Sequence, residues 1–397
     1  MIFDETSLYN IKSELDGTRY SLFELATWKN GIAFKKIDFS ETGRPVIKIA
    51  ELNNGINSNT AFTQGDYGEE VFVRRDDLLF SWSGNPQTSI DVFRYRLQDG
   101  WLNQHIFKVS ANESLVNKDY LYYILKFLKP HFTQIATNKQ TTGLGHVTIA
   151  DLKRMSLVVP AKEVQERIVS VLKAVDDKIE VNSNINENLQ QQAAALFSSL
   201  YDRSNAEVRF TNLIQILGGG TPKTGENNYW NGNIAFFTPK DVGTPYTLIT
   251  EKSITEEGLS HCNSRLYPVN TVFVTARGTV GKVGMSGIPM AMNQSCYALV
   301  GKETHQLLVY FYTLKAVDRL KHKASGAVFD AITTRDFESE QIMKLSADDA
   351  KAFLCIAAPM FQKVLNNCIE NLRLSTLRDS LLPKLMSGEL DVSDLDL

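Results

Sequence analysis

The sequence predicts an α+β protein built twice over. Two mixed α/β domains are each followed by a long helix, and the two helices pair with each other as an intramolecular antiparallel coiled coil. Three observations predict this. Short blocks return later in the chain at a nearly fixed offset, two long stretches carry a sustained 4-3 apolar stripe, and the regions before those stretches hold short β-prone runs punctuated by Gly, Asn and Pro.

The repeat comes first because it fixes the organisation. Arg19-Tyr20-Ser21 returns as Arg209-Phe210-Thr211 and Asn103-Gln104 as Asn293-Gln294, both at an offset of 190. Asp77-Leu78-Leu79-Phe80 matches Thr271-Val272-Phe273-Val274 at 194, and Thr148 and Asp151 match Thr333 and Asp336 at 185. The offset then holds at 185 to the end of the second copy. Drifting offsets mark loop insertions, and a constant one marks a rigid element that tolerates none. These blocks divide the chain into a first mixed domain (1–150), a first long helix (151–205), a second mixed domain (206–330) and a second long helix (331–397).

In the first helix Ile168, Leu172, Val175, Ile179, Asn182, Asn186, Leu189, Ala193, Leu196 and Leu200 alternate steps of 4 and 3. In the second, Phe353, Ala357, Met360, Val364, Asn367, Asn371, Leu374, Arg378, Leu381 and Leu385 do the same. Such spacing lays one narrow seam along a helix, about 50 Å long at about 1.5 Å per residue. Asn182, Asn186, Asn367 and Asn371 interrupt the seam at equivalent steps. A buried Asn is costly unless paired, so these four are candidates for fixing register. A frayed or exposed seam accounts for the same four residues.

The domains before the helices hold Val71-Phe72-Val73, Leu78-Leu79-Phe80, Ile234-Ala235-Phe236-Phe237 and Thr271-Val272-Phe273-Val274 as strand candidates. Leu121–Leu128 and Gln306–Leu320 have helical character.

Composition narrows the function. A chain of 397 residues with net charge −3 is not a uniformly cationic nucleic-acid binder. Residues 206–330 hold 12 basic and 9 acidic residues, whereas 331–397 hold 7 and 11, so any surface facing a polyanion is a patch. Cys262, Cys296, Cys355 and Cys368 form no C-x-x-C pair, which fits reduced thiols in a cytoplasmic protein. His261-Cys262 lacks a second ligand pair, so no metal site is expected. The acidic start Met1-Ile2-Phe3-Asp4-Glu5 has no signal pattern, and the absence of an 18-residue apolar run predicts no membrane span.

No catalytic constellation is expected. Arg277-Gly278-Thr279-Val280-Gly281-Lys282-Val283 approaches a phosphate loop, but Ala276 replaces its first glycine and Val283 its hydroxyl. Gly218-Gly219-Gly220-Thr221-Pro222-Lys223-Thr224 places Pro222 where the last glycine must stand. H-E-x-x-H and G-x-S-x-G are absent.

What remains suits binding. The glycine run leads into Tyr229-Trp230-Asn231-Gly232 and Phe237-Thr238-Pro239-Lys240-Asp241. Lysines meet phosphates, while Asn and Gln read base edges. The candidate nucleic-acid contacts are Thr221, Lys223, Tyr229, Lys240, Arg277, Thr279 and Lys282 in the second half. In the first half they are Lys29, Lys35, Lys48, Arg74, Trp82, Ser83 and Asn85, with Trp82-Ser83-Gly84-Asn85 standing where Ala276-Arg277-Gly278-Thr279 falls in the second. The glycines serve equally well as tight-turn residues, which need positive φ. Arg74-Arg75 can be neutralised by Asp76-Asp77. Asn103-Gln104 and Asn293-Gln294, common to both halves, point to a shared scaffold.

These features together resemble the specificity subunits of type I restriction-modification systems. The closing run Leu377-Arg378-Asp379-Ser380-Leu381-Leu382-Pro383-Lys384-Leu385-Met386-Ser387-Gly388-Glu389-Leu390 is similar to that family's ending. Gly219-Gly220-Thr221-Pro222-Lys223-Thr224 with Tyr229-Trp230 and Thr238-Pro239-Lys240-Asp241 resembles its second specific block. Pro160 followed by Val164-Gln165-Glu166-Arg167-Ile168-Val169 resembles a family helix start. The first domain lacks the Gly-Thr-Pro block, and the second helix opens on Ser346-Ala347-Asp348-Asp349 instead of a Pro-Gln pattern.

The resemblance implies two target-recognition domains that read a bipartite double-stranded DNA target, with no catalysis in this chain. It implies two methyltransferase subunits docked on the helices and restriction-translocase subunits in the full complex. S-adenosylmethionine, ATP and Mg²⁺ are then expected on those partners and none here. The competing readings are a coiled-coil scaffold that binds only protein and a DNA-modifying enzyme with an unrecognised site.

Overall fold

The structure, a computed structural model, describes residues 5–140, 143–243, 245–323 and 331–392. The expected boundary at Asp330 and the first four residues of the acidic start lie outside these. The chain forms two compact units, Met1–Asp177 with Ser375–Leu397, and Lys178–Leu374. Each unit contains a segment of both long helices.

In the first unit a four-stranded antiparallel sheet runs in the order Ala26–Asn30, Ile106–Ala111, Leu78–Ser81, Asp91–Arg94. Leu78, Phe80, Val92 and Val109 from this sheet are buried against Tyr120, Leu121 and Ile124 of helix Lys118–Phe127 and Phe132 of helix Lys129–Asn138. Asn117 caps the first of these helices by accepting from the N–H groups of Asp119 and Tyr120. A second sheet of four short strands (Phe62–Thr63, Arg44–Ile47, Gly100–Leu102, Phe72–Val73) contains one parallel pair.

The second unit repeats the four-stranded order with Ile214–Gly218, Cys296–Gly301, Val272–Thr275 and Val283–Ser286, and adds Tyr246–Thr247 as a fifth strand. Helix Gln306–Lys323 covers it, burying Val309, Ala316 and Val317. A three-stranded sheet of Lys252–Ile254, Trp230–Phe237 and Met290–Met292 completes the unit.

The long helices span Lys162–Asp202 and Ala347–Ser387, 41 residues each, or about 60 Å at about 1.5 Å per residue. They start later than expected, and the reason is local. Thr148 with Asp151, and Thr333 with Asp336, form capping boxes that open the separate short helices Ile149–Arg154 and Thr334–Ser339. Strands Ser156–Pro160 and Gln341–Lys344 follow and pair antiparallel with Gly17–Ser21 and Ala206–Arg209. Gln165 then anchors the first long helix. Its buried side chain donates to the carbonyls of Pro160 and Leu115 and accepts from Asn117 N–H. Ser346 caps the second by accepting from Asp349 N–H at 3.1 Å.

All twenty seam positions are buried or half-buried. In the second unit Asn367 Nδ2 donates to Asn186 Oδ1 at 2.8 Å and Asn182 Nδ2 to Asn371 Oδ1 at 2.9 Å. One helix descends as the other rises, so the pair is antiparallel. Asn182 and Asn367 are almost fully enclosed, and the amide pairs relieve a burial that unpaired Asn would not tolerate. In the first unit the seam charge Arg378 lies 2.9 Å from Asp176, which also accepts from the Tyr123 hydroxyl at 2.8 Å. Arg378 is desolvated, yet its hydrogen bonds to Asp176 and Asp379 outweigh that loss and keep it more firmly protonated than a free guanidinium.

The helix Ala347–Ser387 is, by length and composition, apolar enough to cross a membrane, with a mean hydropathy of 1.3 over its best window. It is still not an uninterrupted run of 18 apolar residues, because Asp349, Lys351, Lys363 and Glu370 stand within it. Phe353, Ala357, Phe361 and Val364 are buried in the second unit's core and Leu385 and Met386 in the first's, which accounts for that hydropathy.

Candidate nucleic-acid interface

In the second unit three turns meet at the sheet ends. Thr238 and Asp241 close one of them, with the Asp241 carboxylate accepting from the Thr238 N–H and hydroxyl at 2.7 and 2.6 Å and from Glu251 N–H at 2.8 Å. This holds Lys240 outward, 3.5 Å from Glu251. The Thr279 hydroxyl donates to Pro239 O at 3.2 Å, joining the Arg277–Thr279 turn to the first. Thr221 hydrogen-bonds Gln294, and the N–H groups of Ala276 and Arg277 both donate to Ser295 O. Thr221, Lys240, Arg277 and Thr279 therefore share one polar rim.

Lys282 is exposed just beyond that rim. Lys223 is exposed as well, and its carbonyl accepts from Trp230 Nε1 at 3.1 Å. Tyr229 stacks on His261 with ring centroids 5.0 Å apart.

The glycine run has a specific cause. None of Gly218, Gly219 and Gly220 has positive φ, so the tight-turn expectation is corrected. A Cβ on Gly219 would fall 2.2 Å from Asn293 O, and one on Gly220 would fall 2.6 Å from Asn263 N. These two glycines permit close backbone approach. Gly218 faces open space, with nothing within 4 Å of its Cβ position.

The first unit arranges its candidates differently. Trp82 is half-buried, stacks on Phe107 at 5.7 Å, and donates from Nε1 to Asn30 Oδ1 at 2.9 Å. Ser83 is buried in the short pairing with His146. Exposed Asn85 folds its own turn by accepting from Gln87 N–H at 2.9 Å.

The cations lie elsewhere and are engaged locally. Lys29 pairs with Glu70 at 3.0 Å, and Lys48 sits 5.3 Å from the centre of the Phe39 ring. Lys35 is exposed and is engaged through its backbone, whose N–H donates to Asp38 Oδ2 at 2.6 Å. Arg74 pairs with Glu69 at 2.8 Å and lies over Phe72. Glu69 is thus its main partner, with Asp77 adding a weaker pull. Asp76 instead pairs with Arg96 and Asp77 with Lys108. Sequence reasoning did not single out His105 and His146, whose rings lie 5.8 and 5.9 Å from Trp82.

Charge within the first unit is otherwise tied to the scaffold. Burial pushes the Asp151 carboxyl up, but Lys139 at 2.5 Å and the Thr148 bonds outweigh it and hold the group below the usual carboxylate range. Asp91 is lowered in the same way, burial being outweighed by Lys126 and Lys129.

The fold and its rims define a class: a twice-repeated recognition protein in which each of two α/β copies packs with its own segment of two long helices. The chain belongs to the type I restriction-modification DNA specificity family, whose model, described as the type I restriction modification DNA specificity domain, matches residues 17–191 and 204–344. It is 22% identical to the type I restriction enzyme HindI specificity subunit of Haemophilus influenzae, over 80% of this chain and 87% of that one. It is 27% identical to the EcoR124I/EcoR124II specificity subunit of Escherichia coli, over 51% and 52%. Among solved structures, the type I restriction-modification S subunit from M. genitalium shares the fold with a TM-score of 0.55, at 16% identity and covering 95% and 97% of the two chains. The protein is a non-catalytic DNA target-recognition subunit.

Proposed function

We propose that each recognition domain reads one half of a bipartite double-stranded DNA target and that the paired helices set the unspecified spacer between the halves. Phosphate contacts would fix position and base-edge contacts would fix identity. The observation that carries this reading is the repetition of one sheet order in two units, each bound to the same pair of antiparallel helices. Two like surfaces on one continuous strut suit two like half-sites, much as dimer geometry sets half-site spacing elsewhere.

The chain assembles with methyltransferase and restriction subunits on DNA. Two methyltransferase subunits per chain dock on the helices in this proposal. They carry S-adenosylmethionine, while the restriction-translocase subunits carry ATP and Mg²⁺, and the complex works in the cytoplasm. In the second domain Lys223, Lys240, Arg277 and Lys282 supply phosphate contacts around a rim whose Thr221 and Thr279 face the bases. Lys29, Lys35, Lys48 and Arg74 do the same more weakly in the first.

The test is to map which bases acquire methyl groups when the chain is produced with its methyltransferase. Two short specified blocks separated by a fixed unspecified gap are expected. Methylation at one continuous short block, or none dependent on sequence, would refute the reading.

A further inference from the structure

We infer that Trp82, His105 and His146, with Asn30 behind them, form the base-selecting group of the first recognition domain. The inference rests on the reading above that this domain addresses one half-site.

The argument starts from backbone positions that both units share. Trp82 N–H donates to His105 O at 3.2 Å, and Ala276 N–H donates to Ser295 O at 2.8 Å. Val147 N–H donates to Trp82 O, and Ile332 N–H to Ala276 O, both at 2.9 Å. Ser83 pairs with His146 as Arg277 bridges to Ala331. A Cβ on Gly31 would fall 2.2 Å from Asn103 O, just as one on Gly219 would from Asn293 O. Trp82, His105 and His146 therefore occupy the places of Ala276, Ser295 and Ala331, and Asn30 occupies the place of Gly218.

The scaffold residues at this frame are retained in both copies: Asn103 and Asn293, Gln104 and Gln294, and the two capping boxes. The side chains set upon it are not. The first copy carries an indole, two imidazoles and an amide, where the second carries a methyl, a hydroxymethyl, another methyl and a hydrogen. A frame kept while its side chains diverge is what two readers of different sequences require.

The chemistry agrees. The indole is half-buried and bonded to Asn30 at its open edge, and Gln104 Nε2 lies 3.3 Å from His105 Nε2. The Nδ1 atoms of His105 and His146 are buried and meet no hydrogen-bond partner among the described residues. Such unsatisfied groups are a burden in a purely structural cluster, and the second copy avoids it with two alanines and a serine. Planar rings with hydrogen-bonding nitrogens are suited to the edges of bases in the major groove.

The experiment uses the full complex with methyltransferase subunits and a random-sequence DNA library, reading methylated positions and thermal melting together. His105→Ser and His146→Ala, which install the second copy's residues, are expected to lower discrimination about ten-fold at one or two positions of a single half-site. The other half-site should stay intact and melting should be retained. His105→Asn, which keeps a planar hydrogen-bonding group, should change the favoured base instead of erasing preference. Unchanged preference in all three variants would overturn the inference. So would equal weakening of both half-sites with lowered melting, which would make the cluster structural. A wild-type complex with no sequence preference at all would instead refute the reading on which this inference stands.

Discussion

Asn103 and Asn293 occupy the same turn in the two recognition domains, each receiving a glycine against its carbonyl. Trp82 and Ala276 sit on equally matched backbone a few ångströms away and have nothing chemical in common. The second domain gathers Thr221, Lys240, Arg277 and Thr279 on one rim through direct turn-to-turn bonds. The first gathers aromatic and imidazole groups, and Lys29, Arg74 and Lys48 are paired with Glu70 and Glu69 or laid over a ring. The difference teaches that the fold is carried by a few main-chain approaches and capping boxes, leaving the rim free to change its chemistry.

Four perturbations break or sharpen that comparison. Inserting one heptad in a single long helix sets the Asn186–Asn367 and Asp176–Arg378 contacts out of step. Specific binding of the assembled complex should fall by about 10³ or more, toward non-specific levels, as read by fluorescence anisotropy with target and scrambled DNA.

The next effect separates the units by pH. Burial holds His131 down to a value of about 4 against 6.5 for the free group. The folded unit stays neutral there while the unfolded chain takes up a proton. Its contribution is thus fully present above about pH 6.5 and is lost as pH falls toward about 4. That loss amounts to about 3 kcal/mol. Urea unfolding across this range should show the slope, and His131→Phe should remove it. The second unit buries no histidine among its described residues and should lack this component.

Asn186→Ala strands the buried Asn367 amide and should cost about 1–3 kcal/mol by the same measurement. The double change to Leu at 186 and 367 should recover most of that stability. Smallest is the contrast among cations. Lys282→Ala should lower the slope of log affinity against log salt by about one. Lys29→Ala, which removes a weaker contact already paired with Glu70, should lower the slope by clearly less than one and alter stability by less than about 1 kcal/mol.

The helix seam was legible in the sequence because its period is fixed by helix geometry, and all twenty positions it named are buried or half-buried. Thr148 with Asp151 and Thr333 with Asp336 were legible as a repeat but not as capping boxes, and the short helices they open were absorbed into the long ones. Pairings such as Gly17–Ser21 with Ser156–Pro160 join distant strands, and no local pattern announces them. The same holds at the rim. His105 and His146 are far apart in the chain, and only the sheet brings both to Trp82. Their one sequence signal was position: each falls on a repeat offset where the second copy holds Ser295 or Ala331. The ion-pair partner of Lys29, Glu70, is likewise distant in the chain, and Arg74 pairs with Glu69 of the same loop.

The decisive measurement lengthens both helices together. One heptad added to each, at matched positions of the antiparallel pair, adds about 10 Å of strut, or about three base pairs of DNA. Methyl mapping should then return the same two half-sites with a gap longer by about three. An unaltered gap, with both half-sites still recognised, would contradict the claim that the helices measure the target.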